Sequence, residues 1–344
     1  MPELCPLGRT CDYRHGDVVQ ALRGHTMATL FLREADVERL LDMPLAIEVV
    51  EEAFRHLADG SAANVPRVRA RGSGMILHTM SATADYLNLA GWKCYSTTRV
   101  AALFHLGLYD ATTGKLRALI EADRLGQLRT GAVTAVAVKY MTGPEVSELG
   151  LFGAGTQART QLEAVASVRP LRRAYVYSRD QTRRETFANE MSARLSIEVA
   201  PVERPRDAAA NLPLVITATN SVKPVLEGEW LNEGATVCAI GSNWLHRAEI
   251  DAQVVRRAET IVCDSIQACQ AEAGDFNDAI AQGFFDWSKV TELADIVIGR
   301  ANSSANQSGL SLFKSVGLAI EDVAIGGKLL ELAEEEGGGT TLPF

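Results

Sequence analysis

One stretch constrains this chain more than any other: Leu149-Gly150-Leu151-Phe152-Gly153-Ala154-Gly155-Thr156-Gln157-Ala158. A short apolar run enters a Gly-x-Gly turn, and a helix-forming stretch, Thr160 to Val168, leaves it. The order is strand, tight turn, helix N-terminus. Gly153 allows the turn, Gly155 lets a pyrophosphate approach the backbone, and Ala158 is small enough for the helix to pack against the strand. The free N–H groups and the dipole of the helix start then face the phosphates. A bare Gly-x-Gly-x-x-Ala says little. Its placement between a strand and a helix implies a dinucleotide site rather than an ordinary strand-to-helix turn.

The rhythm after Ser147 agrees with that reading. Strands are predicted at 148–152, 173–178, 196–200, 212–218, 235–240, 260–263 and 295–298, with helices in most of the gaps, which is the pattern of a Rossmann-type, doubly wound parallel sheet in an α/β chain. The earlier half reads differently. Met27 to Phe31 looks like a strand, and Asp42 caps a helix with Pro44 in its first turn and Gly60 at its end. Strands follow at Met75–Ala82 and Leu87–Tyr95. Phe104–Tyr109 and Lys115–Glu121 flank the turn chemistry of Asp110-Ala111-Thr112-Thr113-Gly114. A long helix then runs from Asp123 to Met141 and is broken by Gly143-Pro144. A last helix is expected over Ala319 to Glu335. Residues 1–26 read as a loose extension, with Met27 as the effective start.

Composition narrows the partners. With 344 residues and a formal net charge of −9, the chain is a poor match for phosphate-backbone binding, so no nucleic acid is expected. No apolar run approaches the roughly 20 residues that cross a bilayer. The N-terminus lacks the basic-then-apolar order of a secretory signal. The cysteines are scattered and read as free thiols of a reducing, cytoplasmic compartment. The histidines show no metal spacing, so no metal is expected.

At the tip of the strand at 173–178 stand Ser178 and Arg179, followed by Asp180, Thr182, Arg183 and Arg184. An acid at that tip would bind a ribose 2′-hydroxyl, whereas Ser-Arg suits a 2′-phosphate, so NADP(H) is favoured over NAD(H), with Asp180 keeping NAD(H) open. Two more strand ends should line the same crevice, one with Thr217 and Thr219, the other with Gly241, Ser242 and Asn243. Three cations stand out in the first half: Arg67, before a strand; Lys93, inside the apolar strand Ala90–Tyr95; and Arg129, in a helix of small residues. A lysine buried in such a strand needs a partner. Cations converging opposite a nicotinamide would clamp a carboxylate, while each alone reads more readily as a surface charge or structural ion pair.

Five segments, in order, carry a resemblance: Asp110–Gly114, Glu121–Ala132, the glycine turn, Ala248-Glu249-Ile250-Asp251, and Leu312–Asp322. From about residue 28 to 335 the chain resembles the ornithine cyclodeaminase/mu-crystallin family. The resemblance implies a split α+β substrate and dimerisation domain (27–143 plus 315–344) around an NAD(P)-binding domain (144–314), in a homodimer. It implies that Arg67, Lys93 and Arg129 hold a substrate carboxylate, with Lys93 also polarising the reacting C=N or C=O. It places Thr156 and Gln157 on the pyrophosphate, and Ser315 and Val316 near the nicotinamide. One departure matters. Cyclodeaminases of the family carry an aspartate as acid/base where this chain has Asn243, and an amide exchanges no proton near neutral pH. The expectation is therefore hydride transfer to a 2-imino or cyclic ketimino acid, or to a 2-oxo acid plus amine. The rivals are ornithine cyclodeamination and a non-catalytic binder of NADPH and a small acid.

Overall fold

The computed structural model describes residues 29–302 and 309–343. The expected extension over 1–26 and the start of the first strand at Met27 lie outside them. The chain builds an α/β fold on two sheets. Strands β1 (Leu30–Leu32), β2 (Ala62–Arg71), β3 (Ile76–Ala84), β4 (Leu89–Thr97), β5 (Ala102–Asp110) and β6 (Leu116–Glu121) form the first, in the order β1-β6-β5-β4-β3-β2. Its neighbours are antiparallel except β1 with β6. Strands β7 (Glu148–Phe152), β8 (Arg173–Tyr177), β9 (Glu198–Pro201), β10 (Leu214–Thr217), β11 (Thr236–Ala239), β12 (Ala258–Cys263), β13 (Val290–Glu292) and β14 (Leu310–Lys314) form the second, wholly parallel sheet in the order β13-β12-β14-β11-β10-β7-β8-β9. A last short strand, β15 (Thr340–Thr341), closes the free edge of β1.

Local signals set the long helices. In α1 (Met43–Asp59) the Asp42 carboxylate accepts from Leu45 N at 2.9 Å, Pro44 sits in the first turn, and Gly60, at φ +82°, ends the helix in the left-handed conformation. Helix α2 (Asp123–Met141) matches its predicted span and is buried along most of its length. A Cβ on its Gly131 would lie 2.7 Å from the Thr160 carbonyl, so glycine is what lets α2 press against α3 (Thr156–Val168) of the second half. Helix α4 (Gln181–Leu195) follows β8, and α5 (Ala319–Glu336) closes the chain.

Topology fixes where a ligand can collect. The chain leaves β7 through β8 and β9 in one direction and returns to its other side with β10, so the strand order reverses between β7 and β10, and a crevice opens at their carboxyl ends. The second positioning device is β14. It enters the second sheet between β11 and β12, and its continuation, after residues 315–318, becomes α5, which lies on the first sheet. A Cβ on Gly91 of β4 would come within 2.8 Å of Val323 of that helix. Residues 315–317 are thus carried to the junction of the two sheets.

Several expectations need correction. Arg67 lies within β2, not before it: the pairing of β2 with β3 slips between Val65 and Val68, at Pro66, which has no N–H to donate. Residues 293–297 form a short helix instead of the strand expected at 295–298, because β13 just upstream takes the sheet edge. The central strand β14, buried throughout, was not anticipated as a strand.

Candidate active site

The crevice beyond β7 and β10 is a cleft of about 860 Å³ lined by Gly153, Ala154, Gly155, Thr156 and Gln157, by Ser178, Arg179, Asp180 and Arg183, and by Thr219 and Gly241. Gly153 adopts φ +120°, and a Cβ there would collide with the Ala218 carbonyl, so the turn requires glycine. A Cβ on Gly155 would meet nothing within 4 Å. Gly155 caps α3 without a side-chain bond, which leaves the N–H groups of the first turn directed at open space. The bare backbone, the helix start and the size of the cleft fit a dinucleotide.

Three expected cleft residues are placed elsewhere. Thr182 is exposed on the first turn of α4 and does not line the cleft. Thr217 is fully buried and gives its hydroxyl to Glu249 at 3.1 Å. Ser242 is buried beneath the loop, and its carbonyl accepts from Lys314 Nζ at 2.7 Å. The reason is common to the last two: the strand ends are tied down from inside. The buried Glu249 carboxylate accepts from Gly241 N (2.5 Å), Thr219 N (2.6 Å) and the Thr219 hydroxyl (2.7 Å), so one side chain fixes both loops beside the cleft. Burial pushes the Glu249 carboxyl up, and Lys314 pulls it back. Lys314 itself pairs with Asp275 at 2.8 Å, and Asp275 accepts from Glu249 N at 2.7 Å.

Through Gln157 and Gly241 the cleft continues into a second cavity of about 290 Å³, at the junction of the sheets. Its inner wall is one face of the first sheet. Along β4 the buried positions alternate as Leu89, Gly91, Lys93 and Tyr95, so Lys93 occupies a core position of the strand. The Lys93 side chain is 2% exposed, and its Nζ meets Asp322 Oδ1 of α5 at 2.5 Å. Gly126 of α2 makes room for it, since a Cβ there would lie 3.0 Å from Nζ. Burial, the larger effect, lowers the Lys93 pKa to about 8; Asp322 opposes the shift, and Arg129 and Arg67 add to it. Arg129 of α2 bonds Glu321 at 3.0 Å and reaches Asp322 at 3.6 Å. Burial penalises its charge, but those two carboxylates more than offset the penalty. Arg67 pairs with Glu272 and donates to the carbonyls of Val316 (3.1 Å) and Gly317 (3.4 Å).

The loop that receives Arg67 is itself held by Asp264, which accepts from the Ser315 hydroxyl (2.8 Å), Val316 N (2.8 Å) and Gly317 N (2.7 Å). Gly317 adopts φ +81°, and a Cβ there would collide with the Arg129 guanidinium. The expected substrate-side residues Arg67, Lys93, Arg129, Asn243 and Val316 all line this cavity, and so does Ser315, which was expected on the cofactor. Trp244 lines it as well, whereas Trp92 lies against Gly107 on the other face of the sheet. Asp322, Glu321, Glu272, Asp264, Glu249 and Lys314 carry no assignment from sequence. Among the described residues no group of three or more side chains is arranged to hold a metal ion, and no helix is long and apolar enough to cross a membrane.

The family's sequence profile, ornithine cyclodeaminase/mu-crystallin, matches residues 27–336. The chain belongs to this family. It is 31% identical over 329 residues to an alanine dehydrogenase of Archaeoglobus fulgidus, covering 92% of this chain and 99% of that one. A structure of Thermococcus litoralis Δ1-pyrroline-2-carboxylate reductase in complex with NADH and L-proline superposes with a TM-score of 0.86 at 33% identity, covering 91% of this chain and all (100%) of that one. A structure of a probable ornithine cyclodeaminase from Bordetella pertussis gives 0.85 at 34% identity, with 91% and 100% covered. The fold is thus shared with a structure of a reductase and with one described as a probable ornithine cyclodeaminase.

Proposed function

We propose that the chain is an NADPH-linked reductase that converts a 2-imino or cyclic ketimino acid, or a 2-oxo acid combining with an amine, into an amino acid. The observation that carries this reading is the convergence of Lys93, Arg129 and Arg67 in a cavity that opens onto the glycine-turn cleft. Gly153, Gly155, Thr156, Gln157, Ser178, Arg179, Thr219 and Gly241 would hold the cofactor, whose nicotinamide supplies a hydride to the carbon beside the carboxylate. Arg67 and Arg129 bind and orient that carboxylate. Lys93 holds a proton on Nζ, stabilises charge developing on the substrate nitrogen, and gives up the proton as the amine forms. Asn243 has no exchangeable acid to offer, which weighs against ornithine cyclodeamination.

The preference for NADPH rests on the cleft's ribose end. Asp180 is committed to capping α4 through Arg183 N (3.0 Å) and lies 3.5 Å from Arg183 Nε. Arg179 is exposed, and no hydrogen bond or ion pair engages it among the described residues, so its guanidinium is free for a phosphate. The division into a substrate and dimer part (27–143 plus 315–344) and a nucleotide part (144–314) belongs to the same reading. The face of the first sheet turned away from the cavity exposes Val68 and Leu103, which a second copy would cover. The test is NADPH oxidation with Δ1-piperideine-2-carboxylate, Δ1-pyrroline-2-carboxylate, or pyruvate plus ammonia. At least one should drive turnover; tight NADPH binding with no oxidation across all three would reduce the chain to a binder.

A further inference from the structure

The cavity that holds Lys93 is one-sided in charge. Arg67, Lys93 and Arg129 line it, and among the described residues no Asp or Glu does. Glu272, Glu321 and Asp322 stand behind the cations and are spent on them. Part of the remaining wall is a row across the first sheet, His78, Tyr95 and Phe104, with Arg69 beside His78 but outside the lining. Arg69 of β2 stands opposite His78 of β3, His78 opposite Tyr95 of β4, and Tyr95 opposite Phe104 of β5. Tyr95 follows Lys93 by one pleat repeat on the same face, so His78 lies roughly 7 Å further along the sheet from the lysine row.

His78 is held by its ring faces and by Nε2, while its buried Nδ1 has no partner among the described residues. Its ring stacks on Tyr95 with centroids 4.1 Å apart, meets Trp244 edge-on at 5.8 Å, and its Nε2 pairs with the Thr97 hydroxyl at 3.0 Å. Arg69, beside it, lies over the Trp244 ring at 4.2 Å. Burial, then the positive charges of Arg69, Arg67 and Arg71, push the imidazole down to about 4, so it is neutral at physiological pH. A charge that imidazole will not take on is one that a bound ligand will not hold there comfortably.

We propose that this cavity selects 2-imino and amino acids with an uncharged or anionic side chain and turns away those with a cationic one, with His78 at the wall that enforces the choice. The proposal rests on the carboxylate-clamp reading above. Once a carboxylate is seated on the cations, an ammonium at the end of the side chain would stand near Arg67, Arg69 and Arg71, the first two of which already share a single carboxylate, Glu272, and like-charge juxtaposition of that kind is strongly selective. An anionic tail meets the opposite field, and an uncharged tail finds Tyr95, Phe104 and Trp244.

The test uses amino acids of equal chain length: L-norvaline, L-glutamate and L-ornithine. Each is titrated calorimetrically into the full chain with NADPH present, a pairing in which no hydride can move. Norvaline and glutamate should each bind at least about tenfold more tightly than ornithine. His78→Glu, which places a carboxylate in the wall, should raise ornithine affinity and lower that of glutamate, while His78→Gln should keep the original order. Ornithine binding as well as norvaline to the unaltered chain would overturn the proposal, even if His78→Glu fails to fold. A folded His78→Glu that leaves the order unchanged would overturn the role of His78. Absence of turnover with every ketimine, alongside this binding order, would count against the reductase reading alone; failure of all three amino acids to bind would strike the clamp and the selection together.

Discussion

The two connected cavities are built on opposite plans. The cleft beyond β7 is made mostly of backbone and small residues, and what matters there is space: a turn only glycine can take, an open Gly155, an uncapped helix start. The cavity beside it is made of charge, with each cation backed by a buried carboxylate from a distant part of the chain. A space-built site fails when an atom is added; a charge-built site fails when a charge is removed or pushed out of place. Buried pairs sharpen the second point, because removing one partner strands the other, at about 3–5 kcal/mol.

Lys93→Met should give the largest effect. It deletes the group to which the proposed function gives both the charge and the proton, while keeping a side chain that fills the strand position. We expect kcat/KM for reduction to fall about a thousandfold or more, with NADPH affinity nearly unchanged. An equal loss of cofactor affinity would merge the two plans into one, and near-normal turnover would remove Lys93 from the chemistry.

Two glycines give a matched pair of added atoms. Gly153→Ala should damage the cleft, raising the KM for NADPH by about a hundredfold, since the new Cβ meets the Ala218 carbonyl and the φ of +120° is unsuited to any other residue. Gly317→Ala should damage the other cavity by pushing the Arg129 guanidinium aside, raising the KM for the acid substrate by about tenfold and leaving that for NADPH alone. Crossed effects would show that the cavities are not separable. A smaller change tests the ribose end: Arg179→Ala should raise the KM for NADPH by several-fold, on the order of one charge-assisted bond, and leave NADH unaffected.

The same contrast explains what could be read in the sequence. The cleft was legible because its parts are contiguous: strand, Gly153, Gly155 and helix lie within one stretch, as do Asp42, Pro44 and Gly60 around α1. The cations were legible as oddities, a lysine in an apolar strand above all. Their partners were not, because Lys93 and Asp322 are 229 residues apart and no local pattern links them. Thr217 and Ser242 misled for the mirror reason. Each sits at a strand end where small polar residues suit a ligand, but Glu249 and Lys314 draw the threonine hydroxyl and the Ser242 backbone into the interior. Strand β14 escaped because it ends in Lys314, whose charge hides a fully buried position until Asp275 is placed beside it.

The gentlest probe of the charge-built cavity is pH. Lys93 in the folded chain has its pKa lowered to about 8, mainly by burial, with Asp322 holding it up and Arg129 and Arg67 pressing it down. Reduction consumes a proton and draws on the ammonium, so kcat/KM should be level below that pH and fall as Lys93 deprotonates above it, to about half at pH 8. Amino-acid oxidation needs the neutral amine to accept the proton and should show the rising limb over the same window. Glu321 stands close to the same titration, its carboxyl pushed up to about 8 by burial against the pull of Arg129. Two variants separate them. Glu321→Gln should retain the falling limb, since Lys93 remains; Lys93→Arg should abolish it along with most of the rate, because a guanidinium does not titrate in this range. A limb that disappears in Glu321→Gln and not in Lys93→Arg would transfer the proton from the strand to α5.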